Sequence, residues 1–130
     1  MSRLTVRAGP FSVFFTNVNT AMKLRGHSHF ATVDLYFGAS SAPDSLGFPS
    51  FADTHAAIQE RLKRFFSAIL RDYTNERIAR DLFAAMDEFR HPSIDKWNTW
   101  YELVRLDLNV RGVPDSIGHA DSFTTYTVER

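Results

Sequence analysis

Apolar and polar residues alternate in several stretches of this chain and recur at helical spacing between them. The clearest alternation follows His29: Ala31, Val33, Leu35 and Phe37 fall on one side, Phe30, Thr32, Asp34 and Tyr36 on the other. That period of two, bounded by Gly26 and Gly38, predicts a strand over about 28–38. Upstream, Leu4 to Arg7 alternates, Ala8-Gly9-Pro10 interrupts, and the aromatic segment from Phe11 to Val18 resumes the extended pattern. Proline cannot donate to a ladder, so residues 3–18 read as one bent strand with a bulge near Gly9. Asn17 to Arg25 is expected to be the loop that brings the second strand back antiparallel to the first.

The period then changes. After a Ser- and Pro-rich loop from Ala39 to Pro49, Ser50 and Asp53 resemble a capping arrangement. Phe51, His55, Ile58, Leu62, Phe65, Phe66 and Ile69 recur at helical spacing, predicting an amphipathic helix over 51–71. Its other side, with Gln59, Glu60, Lys63, Arg64 and Arg71, reads as a solvated surface. Asp72-Tyr73 is a break, Thr74 a suitable N-cap, and Glu76 an acid in a first turn, where the helix dipole favours it. Ile78, Ala79, Leu82, Phe83, Met86 and Phe89 form a second apolar stripe, which His91-Pro92 ends. Ser93 to Thr99 is a turn. Alternation returns from Trp100, with Val104, Leu106, Leu108 and Val110 on one face and Arg105, Asp107, Asn109 and Arg111 on the other. One face of this strand is therefore wet or functional. Gly112 to Asp121 is a loop, and Phe123 to Val128 a terminal strand rich in β-formers.

The order is strand, strand, helix, helix, strand, strand. It predicts an α+β, two-layer ββααββ fold over residues 1–130 as a single domain, a four-stranded antiparallel sheet with two helices on one face. So small a sheet leaves its edges open, and pairing between subunits closes them; a barrel-like homo-oligomer is expected.

Composition narrows the partners. With 44% hydrophobic residues and twelve Phe, the chain can fill a core. Lys plus Arg and Asp plus Glu are 15 each, so there is no basic footprint for nucleic acid or an anionic membrane. Zero formal charge also favours self-association. The lack of cysteine excludes disulfides, thiolate metal sites and a thiol nucleophile. No apolar run reaches the length of a membrane span and Met1-Ser2-Arg3-Leu4 opens no signal sequence, so the cytoplasm is the expected compartment.

His27 and His29 carry the first candidate chemistry. Residues two apart on a strand share a face, so two imidazoles can reach one metal ion or one anionic ligand. Zinc requires at least three protein groups, and the alternative is that the pair merely opens the strand. His55 is expected to pack against the sheet; His91 and His119 read as structural or solvated.

With these residues in this order, the chain resembles the tunnelling-fold (T-fold) pterin enzymes, and within them the 6-pyruvoyl- and 6-carboxy-tetrahydropterin synthases. His27-Ser28-His29 stands where that family has His-Gly-His at its second strand, Ser50-Phe51-Ala52-Asp53 where an aspartate-phenylalanine precedes the first helix. Thr74-Asn75-Glu76-Arg77-Ile78-Ala79 matches the opening of the second helix. The resemblance implies a pterin-related lyase of the tetrahydropterin synthase type, with zinc on His27 and His29 and with Asn17 at the place of the family's first histidine ligand. It also implies a carboxylate under the pterin ring late in the third strand, where Asp107 falls. One carboxylate can accept both donors of a 2-amino-4-oxo edge; the alternative is that Asp107 pairs with Arg105 or a cross-strand neighbour.

The short junction between the helices is similar to that of dihydroneopterin aldolase, a metal-free relative. There the anchoring glutamate opens the second helix, which makes Glu76 the counterpart, and Arg111 lies where that family has its lysine. Arg111 can hold an anion but stays protonated and cannot act as a base. The resemblance thus implies substrate-binding roles for Glu76, Asp107 and Arg111, a pterin or purine-like small molecule as partner, and zinc or no cofactor. It singles out no catalytic residue. The alternatives to the lyase are a metal-free aldolase or epimerase and a non-catalytic oligomeric binding protein on the same fold.

Overall fold

A computed structural model describes residues 4–19, 24–39, 51–67, 70–71, 74–89, 101–111 and 123–130. The two long strands β1 (Leu4–Asn19) and β2 (Leu24–Ala39) pair antiparallel, then come helix α1 (Phe51–Phe65), a two-residue strand β3 (Leu70–Arg71), helix α2 (Asn75–Asp87), and strands β4 (Tyr101–Arg111) and β5 (Phe123–Glu129). The sheet order is β3-β1-β2-β4-β5, with β3 parallel to β1 and every other pairing antiparallel. The predicted four-stranded antiparallel sheet with two helices is therefore present, with one short strand added.

The bulge expected near Gly9 is there. Ala8 pairs with Leu35 and Phe11 with Val33, so Gly9 and Pro10 together face Asp34. Gly9 has φ 137°, and a Cβ on it would lie 2.7 Å from Asp34 Oδ1 and 2.9 Å from the Val33 carbonyl. Only glycine fits that backbone and that approach. A second irregularity lies in β4: Tyr36 faces Arg105 and Phe37 faces Leu103, so Val104 is the extra residue. It shifts the register, which is why Leu103 and Tyr101, rather than Val104, continue the buried row.

One face of the sheet is packed by both helices. Phe11, Val13 and Phe15 of β1, Val33, Leu35 and Phe37 of β2, and Leu106, Leu108 and Val110 of β4 meet Ile58 and Leu62 of α1 and Ile78, Leu82 and Met86 of α2. The apolar stripes read from the sequence are these contacts. Helix α1 is shorter than the predicted 51–71: it ends at Phe65, and Leu70–Arg71 pairs with Asn17 and Val18 of β1 instead. Extending β1 by two ladder rungs satisfies backbone groups that a longer helix would have left at an open edge. His55 is exposed on α1, its ring centroid 5.0 Å from that of Phe11, so it lies over the sheet margin rather than inside the core. His91, His119 and Ile69 lie outside the described residues.

Thr74 caps α2 as its sequence position suggested: its hydroxyl accepts from the Arg77 N–H at 3.2 Å. At the far end of the domain Arg130 ties three elements together. Its backbone N–H donates to the carbonyl of the bulged Val104, its Nε to the Leu103 carbonyl at 3.0 Å, and its guanidinium pairs with Asp87 of α2 and Glu102 of β4. No helix among the described residues is long and apolar enough to cross a membrane.

Candidate functional site

Polar side chains gather in two places, on opposite faces of the sheet. The helix-free face carries the larger group. Asp34 of β2 and Asp107 of β4 stand directly opposite each other in the ladder, and both are buried. Two like charges side by side in a partly desolvated site are unfavourable unless each is neutralised. Each has its own arginine. Arg7 reaches Asp34 Oδ1 with Nε at 3.1 Å and Nη2 at 2.8 Å, and Arg105 makes a two-pronged contact with Asp107, 3.0 Å to each oxygen.

Hydroxyls and an amide complete the group. Asn109 Nδ2 donates to Asp34 Oδ2 and to Thr32 Oγ1, both at 3.2 Å, and its Oδ1 accepts from Thr125 at 2.6 Å. Thr127 donates to Asp107 at 2.7 Å, and the Arg105 guanidinium lies 5.0 Å from the centre of the Tyr36 ring. Burial acts to raise the Asp107 pKa, but hydrogen bonds from Arg105 and Thr127, the Arg105 charge and the Tyr36 hydroxyl outweigh it and hold the carboxyl below the usual 3.8. The carboxylate is therefore stabilised as an anion and fully occupied by the protein's own donors. Of the two roles left open for Asp107, pairing with Arg105 and a cross-strand neighbour is the one the geometry realises.

The second place lies between α2 and β5, on the helix side. A shallow cleft of about 280 Å³ is lined by Glu76, Ala79 and Arg80 of α2 and by Thr125 to Val128 of β5. Glu76 is exposed at its mouth, and its carboxylate makes no hydrogen bond or ion pair with a described residue. Beside it, Asn75 Nδ2 donates to the Tyr126 hydroxyl at 3.2 Å, while Asn75 Oδ1 is buried with no donor from a described residue upon it. The Thr74 cap fixes this turn, so Glu76 is presented on rigid backbone next to Arg80 one turn on.

The structure thus separates the three predicted substrate-binding residues. Asp107 and Arg111 share β4 and the helix-free side of the register, four residues or about 13 Å apart at strand rise. Glu76 is on the opposite side of the sheet. Within one chain the three form no common pocket.

The predicted metal positions, by contrast, are neighbours in the β1–β2 ladder: Asn17 stands opposite His27 and Phe15 opposite His29. The side chains of Asn17 and His27 lie outside what is described. The His29 ring packs on Phe15, centroids 5.3 Å apart. Two imidazoles and an amide are a poor donor set for zinc, because an amide oxygen is a weak ligand beside imidazole. Among the described residues no three His, Cys, Asp or Glu side chains come together as ligands. As a donor set these three residues suit zinc poorly, and no chemistry is routed through a metal.

The sequence placed Arg105, Asp107 and Asn109 on one wet face and left an Asp107–Arg105 pairing open, but not the rest of the network. Asp34 was legible only as a polar residue in an alternating strand, and Arg7, Thr125 and Thr127 carried no signal; the register alone brings them together. Comparison with protein-family models, with curated proteins and with solved structures finds no match.

Proposed function

We propose that this chain is a T-fold pterin-type protein that binds a pterin or purine-like heterocycle as a barrel-like homo-oligomer in the cytoplasm. Of the forms that the resemblance allows, the metal-free, dihydroneopterin aldolase-like one fits better than the zinc-dependent tetrahydropterin synthase-like lyase. The observation that carries this choice is Glu76: an exposed carboxylate with no hydrogen bond or ion pair to a described residue, held by a capped helix beside a cleft. A carboxylate so placed can accept the two parallel donors of a 2-amino-4-oxo ring edge. Asp107, the anchor that the synthase-like reading needs, already spends both oxygens on Arg105.

The free edges support assembly. Beyond Asn17 and Val18 the outer edge of β1 pairs with no described strand, and neither does the outer edge of β5. Joining such edges between subunits satisfies their backbone groups and brings further side chains to each cleft.

Titration with 7,8-dihydroneopterin, followed by its fluorescence, tests the reading, and turnover of the same compound separates an enzyme from a binding protein. Saturable binding is expected. Elemental analysis of wild type beside a His27→Ala/His29→Ala variant decides between the two forms: no stoichiometric metal is expected in either. Zinc at one per chain, lost in the variant, would restore the lyase form.

A further inference from the structure

A second cleft, at the margin of β1 away from Glu76, belongs to neither polar group. It has a volume of about 380 Å³, within the range of small-molecule sites, and is lined by Val13, Phe14, Phe30, Lys63, Phe66 and two serines. Its composition is unusual for this surface. Phe14 and Phe30 are exposed by 53% and 63%, and they pair across the β1–β2 ladder with ring centroids 5.0 Å apart and planes at 57°. Phe66, buried beneath, closes the apolar wall and is stacked on Phe15 at 5.2 Å.

Among the described residues that line the cleft, Lys63 carries the one charge: it is exposed on the last turn of α1, and no acid stands beside it there. Gln59 Nε2 of α1 donates to the Ser12 carbonyl at 3.3 Å and so takes that main-chain acceptor. Among the described residues the cleft offers aromatic faces and one ammonium, and no acidic side chain.

We propose that this cleft is a binding site for a flat aromatic monocarboxylate, the ring lying against Phe14 and Phe30 and the carboxylate held by Lys63. Aromatic rings favour offset or tilted contact over a bare aliphatic chain's, and the lone cation selects an anion over a neutral ring. The site shares no residue with the α2–β5 cleft.

The probes are 2-naphthoate and its uncharged analogue 2-naphthylmethanol, titrated into the full chain by calorimetry. Both are expected to bind saturably, naphthoate more tightly. Lys63→Gln weakens naphthoate by about two- to fivefold and leaves naphthylmethanol unchanged. Phe30→Ala weakens both by about two- to tenfold. Both side chains are exposed, so equal melting temperatures check that the variants fold. Naphthoate binding that is non-saturable, or unaltered in both variants, overturns the proposal. So does sedimentation showing that wild type self-associates and Phe30→Ser does not, because the aromatic pair would then be covered by a second copy.

Discussion

The two faces of the sheet are built from the same strands and held by different physics. Toward the helices, alternate residues of β1, β2 and β4 are buried hydrocarbon, and shape is what they contribute. Away from them, the intervening residues hold two buried carboxylates in place with two arginines, an asparagine and two threonines. The first face is sensitive to lost volume, the second to the loss of a donor or acceptor. Two acids differ in the same way. Asp107 is buried and its oxygens are taken by Arg105 and Thr127, whereas Glu76 is exposed and has no partner among the described residues.

Substitutions at matched depth on the two faces should separate these modes. The largest loss is expected from Leu108→Ala on the helix face, about 2–5 kcal/mol in denaturant unfolding, because a fully buried side chain leaves a cavity. Gly9→Ala comes next, at about 1–3 kcal/mol, since it forces a positive φ on a residue with a Cβ and drives that Cβ into Asp34 and Val33. An equal stability for this variant would show that the bulge can relax.

On the helix-free face, Asp107→Ala should cost about 1–3 kcal/mol by stranding Thr127 and Arg105. The same group sets a pH dependence. Its pKa is lower folded than unfolded, so its stabilising contribution is complete above the ordinary value of 3.8 and is lost as pH falls through the depressed folded value. Wild type should therefore lose more stability than Asp107→Asn between about pH 4 and pH 2 in acid titrations of unfolding; parallel curves would contradict the assignment. The smallest effect on stability, within about 0.5 kcal/mol, is expected for Glu76→Gln.

The two helices and four long strands, the bulge at Gly9, the helix cap at Thr74 and most of the buried rows were legible in the sequence, because each is a local pattern of period or residue type; the short strand β3 and the bulge at Val104, which puts Leu103 and Tyr101 in the buried row, were not. The end of α1 was not. Phe66 and Ile69 continue the helical spacing, and only the pairing of Leu70 with Asn17 diverts the chain. The partners of Asp107 were legible in part: Arg105 lies two residues away on the same face, but Thr127 depends on the β4–β5 register. Asp34 and Asp107 are 73 positions apart and nothing local announces that they face each other. Glu76 was visible as the acid of a first turn, yet the cleft beside it is formed by β5, whose placement is a tertiary fact.

If the proposed site is right, Glu76 rather than Asp107 holds the heterocycle. Fluorescence titration of 7,8-dihydroneopterin against wild type, Glu76→Gln and Asp107→Asn, with melting curves for all three, tests it directly. Glu76→Gln should lose at least about tenfold in affinity at unchanged melting temperature, as removal of a charged acceptor does. Asp107→Asn should melt lower and still bind. Wild-type affinity in Glu76→Gln, with binding lost in a folded Asp107→Asn, would contradict the claim and return the site to the helix-free face.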